Sequence, residues 1–256
     1  AIGQSLGQVV GEGTRAPLAS PQPVSPATGQ LSKAAREFLG GQAPPANLKG
    51  IVTTRDLQAK APKVGANKAY KRVLLLGAGS VGLQALDILI HDPGVRVVGL
   101  LDDHPQAGQR DLFGYSHLGP LTQLAQLWAD DVFDEAAITV GLNLKLRLRL
   151  YEQCQQLGIE LANVIDPSAR LNRYARMGKG NLICSFVHLG LDCQLGDNNF
   201  IAAHSSLDHH NRIGSHNLLG PGCLLSGNVT VGNRCTFGSG IVVQPNLKIG
   251  DDCLVA

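Results

Sequence analysis

The sequence predicts an α/β unit followed by a parallel β-helix, both set behind a proline-rich linker. Three observations predict this. From Leu171 to Val255 every sixth residue is large and apolar. The glycine-rich run Gly77-Ala78-Gly79-Ser80-Val81-Gly82 directly follows a buried-strand pattern. Seven of the 13 Pro fall before residue 70.

Length and composition bound the rest. A chain of 256 residues has room for one large domain, or two small ones and a linker. At 44% hydrophobic, 16% charged and a net charge of +2, it reads as a soluble globular protein. A balance so close to neutral argues against a nucleic-acid partner or a polybasic membrane contact. Aromatic content of 4% against 31 Gly suggests repeated tight turns around a narrow aliphatic core. No segment approaches the ~18 apolar residues of a membrane span. The opening Ala1-Ile2-Gly3-Gln4 has neither the basic start nor the apolar run of a signal peptide, and no initiator Met. With the abrupt stop at Asp251-Asp252-Cys253-Leu254-Val255-Ala256, both ends read as cuts in a longer protein. Cys154, Cys184, Cys193, Cys223, Cys235 and Cys253 form no CxxC, so reduced cytoplasmic thiols are the expectation.

Residues 1–29 read as linker with the possible end of a small domain. The stretch Ile2 to Gly13 resembles the last strands of a lipoyl or biotinyl domain, whose carrier lysine would precede residue 1. Residues 30–58 hold a short amphipathic helix, Leu31 to Leu39, and then Leu48 to Leu57, where Thr53 and Asp56 are spaced like a capping box. Together they resemble the peripheral subunit-binding domain of 2-oxo-acid dehydrogenase acyltransferases, with the usual Gly-rich loop shortened to Lys49-Gly50. That resemblance implies a docking partner for residues 30–58. Residues 59–70 are linker, and a disordered leader with one stray helix is the alternative for the whole segment.

Residues 71–164 alternate strand and helix. Lys71-Arg72-Val73-Leu74-Leu75-Leu76 is a basic start and then a run suited to burial on both faces. After the glycines comes an amphipathic helix bearing Leu83, Ala85, Leu86, Ile88 and Leu89, and then a strand from Val95 to Leu101 that ends at Asp102-Asp103. Strand, Gly-rich turn, helix and strand, with acids about twenty residues past the glycines, is the order of a Rossmann-like nucleotide-binding unit. The glycines let a phosphate or base approach the backbone at a helix N-terminus. A turn that merely packs helix on strand is the bland alternative. The alternation continues with a helix near Leu121 to Trp128, a strand Ala136 to Val140, a helix Leu144 to Leu157 and a strand Ile159 to Val164. This is too short for a complete dinucleotide fold, which disfavours a redox enzyme.

Residues 165–256 carry the six-residue period, and on it sits a period of eighteen: Met177-Gly178, Leu195-Gly196, Ile213-Gly214, Val231-Gly232, Ile249-Gly250. Six is neither a helix period nor a simple alternation. It suits a short strand plus a corner, three of which close a triangular coil. The fourth residue after an anchor is usually small or turn-prone, as at Asn181, Cys193, Asn199, Ser205, Asn211, Asn217, Cys223, Cys235 and Cys253. Asn tolerates the left-handed backbone that corners need, and Cys packs as a small apolar residue.

The repeat resembles the left-handed parallel β-helix of hexapeptide-repeat acyltransferases, and the left hand comes from that resemblance. A small α/β unit in front of such a helix is similar to the sialic-acid O-acetyltransferase and nucleotide amino-sugar N-acetyltransferase family, over residues 71–256. The resemblance implies a homotrimer that takes acetyl-CoA as acyl donor and a nucleotide-linked sugar as acceptor, with no metal. It places the nucleotide-sugar on Gly77, Gly79, Ser80, Gly82, Asp102 and Asp103. Acetyl-CoA is placed along the β-helix, with Gly220, Gly222, Ser226 and Gly227 on its side.

Acetyl transfer to an amine or hydroxyl needs a base for the nucleophile's proton and donors for the developing oxyanion. Neutral His suits the first task near pH 7. The stretch from Ala203 to Gly214 holds His204, His209 and His210, three of the eight His. The family's catalytic base falls on His209, four residues before the anchor Ile213. The next position is an acid in the family and is His210 here, so Asp208 is the candidate orienting acid, although neighbours on a strand point to opposite faces. A family His at the acetyl-CoA thioester falls on Leu218, a second departure.

Two other readings use the same fold. One is a trimeric scaffold or docking protein without catalysis. The other is a γ-carbonic-anhydrase-like zinc enzyme: His204 and His209 match two of its ligands, but Leu182 stands at the third.

Overall fold

A computed structural model describes residues 70–104, 107 and 112–256. The readings of residues 1–69 as lipoyl-like end, subunit-binding-like module and linker lie outside these described residues.

The first part is a parallel sheet with helices. Its elements are β1 (Lys71–Leu76), α1 (Ser80–Ile90), β2 (Val95–Leu101), β3 (His117–Gly119), a 3-10 turn (Leu121–Gln123) leading into α2 (Leu124–Ala129), β4 (Glu135–Ile138), α3 (Leu144–Leu157) and β5 (Glu160–Leu161). The strands lie in the order β3-β2-β1-β4-β5, every pair parallel. Alternation along β1 explains the packing: Val73 and Leu75 join the helix α1 side, while Leu74 and Leu76 join Leu124, Leu127, Phe133 and Leu150 on the opposite side. The reading of Ile159 to Val164 as one strand is corrected. Glu160–Leu161 pairs with β4, whereas Val164–Ile165 pairs with Leu182–Ile183 and so starts the repeat.

From Val164–Ile165 to Leu254–Val255, two-residue strands recur every six residues and form three parallel sheets. Each strand residue pairs with the one eighteen further on, as Leu189 with Leu207, Leu207 with Leu225, and Leu225 with Val243. The chain is therefore a parallel β-helix. Its interior is one continuous apolar column that includes Ile183, Leu189, Ile201, Leu207, Leu219 and Phe237. Burying each such side chain contributes about 1.5–3 kcal/mol. The outward residues of one sheet, Val164, Leu182, Phe200 and Leu218, are also buried, because α1 packs on them.

The corners correct one expectation. From Met177 onward the left-handed backbone falls on the third residue after an anchor, not the fourth: Gly180, Phe186, Asp192, Asn198, His204, His210, His216, Gly222, Asn228, Arg234, Gly240, Asn246 and Asp252 have φ between 52° and 73°. The fourth residue turns inward. There Asn181, Asn199 and Asn217 form a ladder in which each side-chain oxygen accepts the backbone N–H one coil on: Asn199 N to Asn181 Oδ1 at 2.9 Å, Asn217 N to Asn199 Oδ1 at 2.9 Å, Cys235 N to Asn217 Oδ1 at 2.7 Å. Asn is thus retained there to satisfy buried amides. Cys193, Cys223 and Cys235 fill the same position as fully buried small residues.

Candidate active site

Asp208, His209, His210 and Asn211 form the corner between the strands Ser206–Leu207 and Arg212–Ile213. A corner does not alternate as a strand does, so Asp208 and His209 meet. The His209 amide donates to Asp208 Oδ1 at 2.8 Å, and Asp208 Oδ2 lies 4.0 Å from His209 Nε2. His210 takes the left-handed position, with φ 61°, and its ring stands edge-on to His209 with Nδ1 to Nδ1 at 3.0 Å. One of those nitrogens donates and the other accepts. With the proton on His209 Nδ1, His210 accepts it and His209 Nε2 presents a bare lone pair. His210 then holds the tautomer, the task expected of an acid. The His209 side chain is 48% exposed, so it is reachable.

The four expected cofactor-side residues divide between two edges of the prism. Ser226 and Gly227 occupy the coil after Asp208 and His209, and a Cβ on Gly227 would overlap the His209 imidazole. Gly220 and Gly222 lie on the edge of His204, where Gly222 N donates to Ala203 O at 3.0 Å. The amides of Gly220, Gly222 and Ser226 are engaged by the carbonyls of Phe237, Ala203 and Val243. Gly227 N–H has no such acceptor among the described residues. His204 stacks on Phe186, centroids 4.9 Å apart. Leu218 and Leu182 are buried under α1, so neither place offers a polar group to a thioester or a metal. Among the described residues no cluster of three or more His, Cys, Asp or Glu is placed to hold a metal ion.

In the α/β unit, Gly77 has φ 123° and sits against the backbone of Val140, where a Cβ would be 2.9 Å from Val140 N. A Cβ on Gly82 would overlap the Gly77 carbonyl, so both glycines are required by close approach. Thr139 Oγ1 donates to Gly77 O at 2.7 Å and fixes the turn. Gly79 caps α1 without a side chain, and Ser80 is exposed in its first turn. Asp102 ties the end of β2 to this turn: Oδ2 accepts Ala78 N–H at 2.6 Å and Oδ1 accepts His104 N–H at 2.7 Å. Asp103 Oδ1 accepts Leu121 N–H at 2.8 Å, at the head of the 3-10 turn. Asp102 thus supports the glycine turn, and Asp103 holds the head of the 3-10 turn.

One residue that sequence reasoning misses is Arg147, fully buried in the first turn of α3. In a helix reading Leu-Lys-Leu-Arg-Leu-Arg-Leu it looks like one more surface cation, and no local signal marks it.

No protein-family model and no curated protein sequence matches the chain. Solved structures do. The chain is similar to PerB from Caulobacter crescentus in complex with CoA and GDP-perosamine: 28% identity, TM-score 0.65, covering 74% of this chain and 87% of that one. A histidine-to-alanine mutant of the GDP-perosamine N-acetyltransferase of that organism, with the same ligands, matches at 27% identity and TM-score 0.66 over 74% and 87%. The acetyltransferase domain of PglB from Neisseria gonorrhoeae, in complex with acetyl coenzyme A, matches at 22% identity and TM-score 0.66 over 72% and 87%, and shows the shared fold.

Proposed function

We propose that this chain is an acetyltransferase that moves the acetyl group of acetyl-CoA to the amino group of a nucleotide-linked sugar. The observation that carries the reading is His209, half exposed, with Nδ1 3.0 Å from His210 Nδ1 and Nε2 beyond hydrogen-bond reach of Asp208 Oδ2, at 4.0 Å. The likeness to a CoA- and nucleotide-sugar-bound N-acetyltransferase supports it. In the reaction the sugar nitrogen attacks the thioester carbonyl while His209 Nε2 takes its proton. The N–H of Gly227, the residue packed against the imidazole, has no acceptor among the described residues and is suited to receive the oxyanion. Collapse expels the CoA thiolate, to which His209 returns the proton, leaving an amide and CoA.

The nucleotide is assigned to the turn at Gly77, Gly79, Ser80 and Gly82, with Asp102 and Asp103 as its supports. The strand order reverses between β1 and β4 there, the place where open α/β sheets take ligands. We assign the left hand to the β-helix and a homotrimer to the assembly. Leu224 and Val242, 46% and 58% exposed on the sheet leading to the His209 edge, favour a covering neighbour. Among the described residues no helix is long and apolar enough to cross a membrane, and five buried free Cys suit a reducing, cytoplasmic setting.

The test is thiol release from acetyl-CoA with UDP-, dTDP- and GDP-linked amino sugars, beside His209→Ala. Sugar-dependent release that collapses in the variant supports the reading. Release that survives the variant removes His209 from the role of base, whereas none with any sugar from a folded trimer rejects the reading and favours a non-catalytic scaffold.

A further inference from the structure

Arg147 is 1% exposed, and its guanidinium meets no carboxylate among the contacts it makes. Nη1 donates to Ile138 O at 2.9 Å and to Val140 O at 2.8 Å. Nη2 donates to Asn198 Oδ1 at 2.8 Å and reaches Asn198 O at 3.4 Å. Nε is buried without a partner. Burial pushes the guanidinium down to about 10, so it stays charged at neutral pH. A cation buried without a carboxylate partner is costly, and an apolar side chain of the same length would fill this space at less cost. Packing alone therefore does not account for an arginine here.

Its contacts say what it holds. Ile138 and Val140 flank Thr139, whose hydroxyl bonds the Gly77 carbonyl, and Gly77 lies against the Val140 backbone. The other end of the guanidinium is on Asn198, a left-handed corner of the β-helix with φ 52°. Asn198 Nδ2 in turn donates to His216 Nδ1 at 3.1 Å, and one turn along α3 Tyr151 donates to Asp197 Oδ2 at 2.8 Å. A continuous run of bonds thus leads from a β-helix corner, through one cation, to the Gly77 turn.

We infer that Arg147 is a positioning residue: with Asn198 it fixes the loop 138–140, and through Thr139 the Gly77 turn, so that the nucleotide-sugar is held at a set distance from the β-helix where acetyl transfer occurs. The inference rests on the proposed acetyl transfer for its kinetic consequence and on geometry alone for its mechanical one. It adds to the glycines a residue that binds no substrate and determines where the substrate lies.

Asn198→Gly is the clean test, because glycine accepts φ 52° and the change removes the amide that anchors Arg147 while leaving the corner backbone intact. Arg147→Met runs beside it, and the decision rests on Asn198→Gly whether or not Arg147→Met folds. Two readouts are taken on the full chain: KM for the nucleotide amino sugar and for acetyl-CoA, and amide hydrogen exchange over residues 77–83 and 138–143. The expected result is a rise of about tenfold in the sugar-nucleotide KM, an acetyl-CoA KM within about twofold of wild type, and faster exchange in both segments. A role confined to stability would instead lower the melting temperature and the active fraction and leave both KM values in place, and that result overturns the inference. Unchanged exchange in the two segments also overturns it. Should the wild type release no thiol with any sugar, the proposed function fails, and the exchange comparison still decides the role of Arg147.

Discussion

The imidazole of His209 rests on Gly227, the residue one coil further along the same edge, with no room between them for a methyl group. The backbone of Gly227 is not in the left-handed region, so alanine is free of backbone strain there. What must yield is the half-exposed ring. Gly227→Ala is therefore expected to displace His209 and cut kcat about 10²-fold or more, with a melting temperature close to wild type. Steady-state kinetics paired with thermal melts check it; an unimpaired kcat means the ring position does not matter.

His210 faces His209 from a left-handed corner, Nδ1 to Nδ1 at 3.0 Å, and in the proposed reaction it accepts the His209 Nδ1 proton. Asn tolerates that backbone and offers an oxygen to His209 Nδ1–H, whereas Gly offers only the backbone. His210→Asn is expected to keep kcat within about tenfold and His210→Gly to lose about 10²-fold, with KM values little changed in either. Equal losses would assign His210 to the corner alone.

The inward Asn ladder carries stability. Asn199 is fully buried and accepts the Asn217 amide. Asn199→Ala leaves that N–H unpaired and is expected to cost about 1–3 kcal/mol in denaturant unfolding. Arg176→Ala, on the exposed outer side of a coil, is expected to stay within about 0.5 kcal/mol.

His216 gives the fold an acid sensitivity. Burial holds its imidazole below the ordinary 6.5, against the pull of Asp197, with Arg234 and Arg147 adding to the lowering. Its Nδ1 must stay unprotonated to accept from Asn198. The unfolded chain binds this proton more readily than the native one, so stability falls as pH drops below about 6.5 and levels off under the native value. Melting temperatures of wild type and His216→Asn, compared between about pH 7 and 5, are expected to show the steeper acid loss in wild type.

Much of this architecture is legible in the sequence because the β-helix writes itself as a period. The inward anchors and the eighteen-residue coil follow from counting, while the catalytic candidate His209 comes from the family resemblance laid on that count. The corners come out one position off because Asn suits both a left-handed turn and a buried amide ladder, and only the backbone tells the two apart. The alternation of a strand argues against Asp208, and that alternation does not hold at a corner. Arg147 is invisible for another reason: its partners Ile138, Val140 and Asn198 stand 7 to 51 residues away, and nothing near it in the sequence distinguishes it from Arg149.

Each strand residue pairs with its counterpart eighteen positions on, without a slip along the repeat. The prism therefore has a reading frame. An insertion of one residue would rotate every later side chain off its edge, and one of six would pass His209's partners to the wrong face. A whole coil, by contrast, is neutral to everything before and after it. Lengthening by duplication adds one rung of about 4.8 Å and leaves the chemistry at its corner. Descent in such a chain proceeds in units of eighteen, so differences in coil number between relatives record discrete events, and drift is confined to what each corner displays.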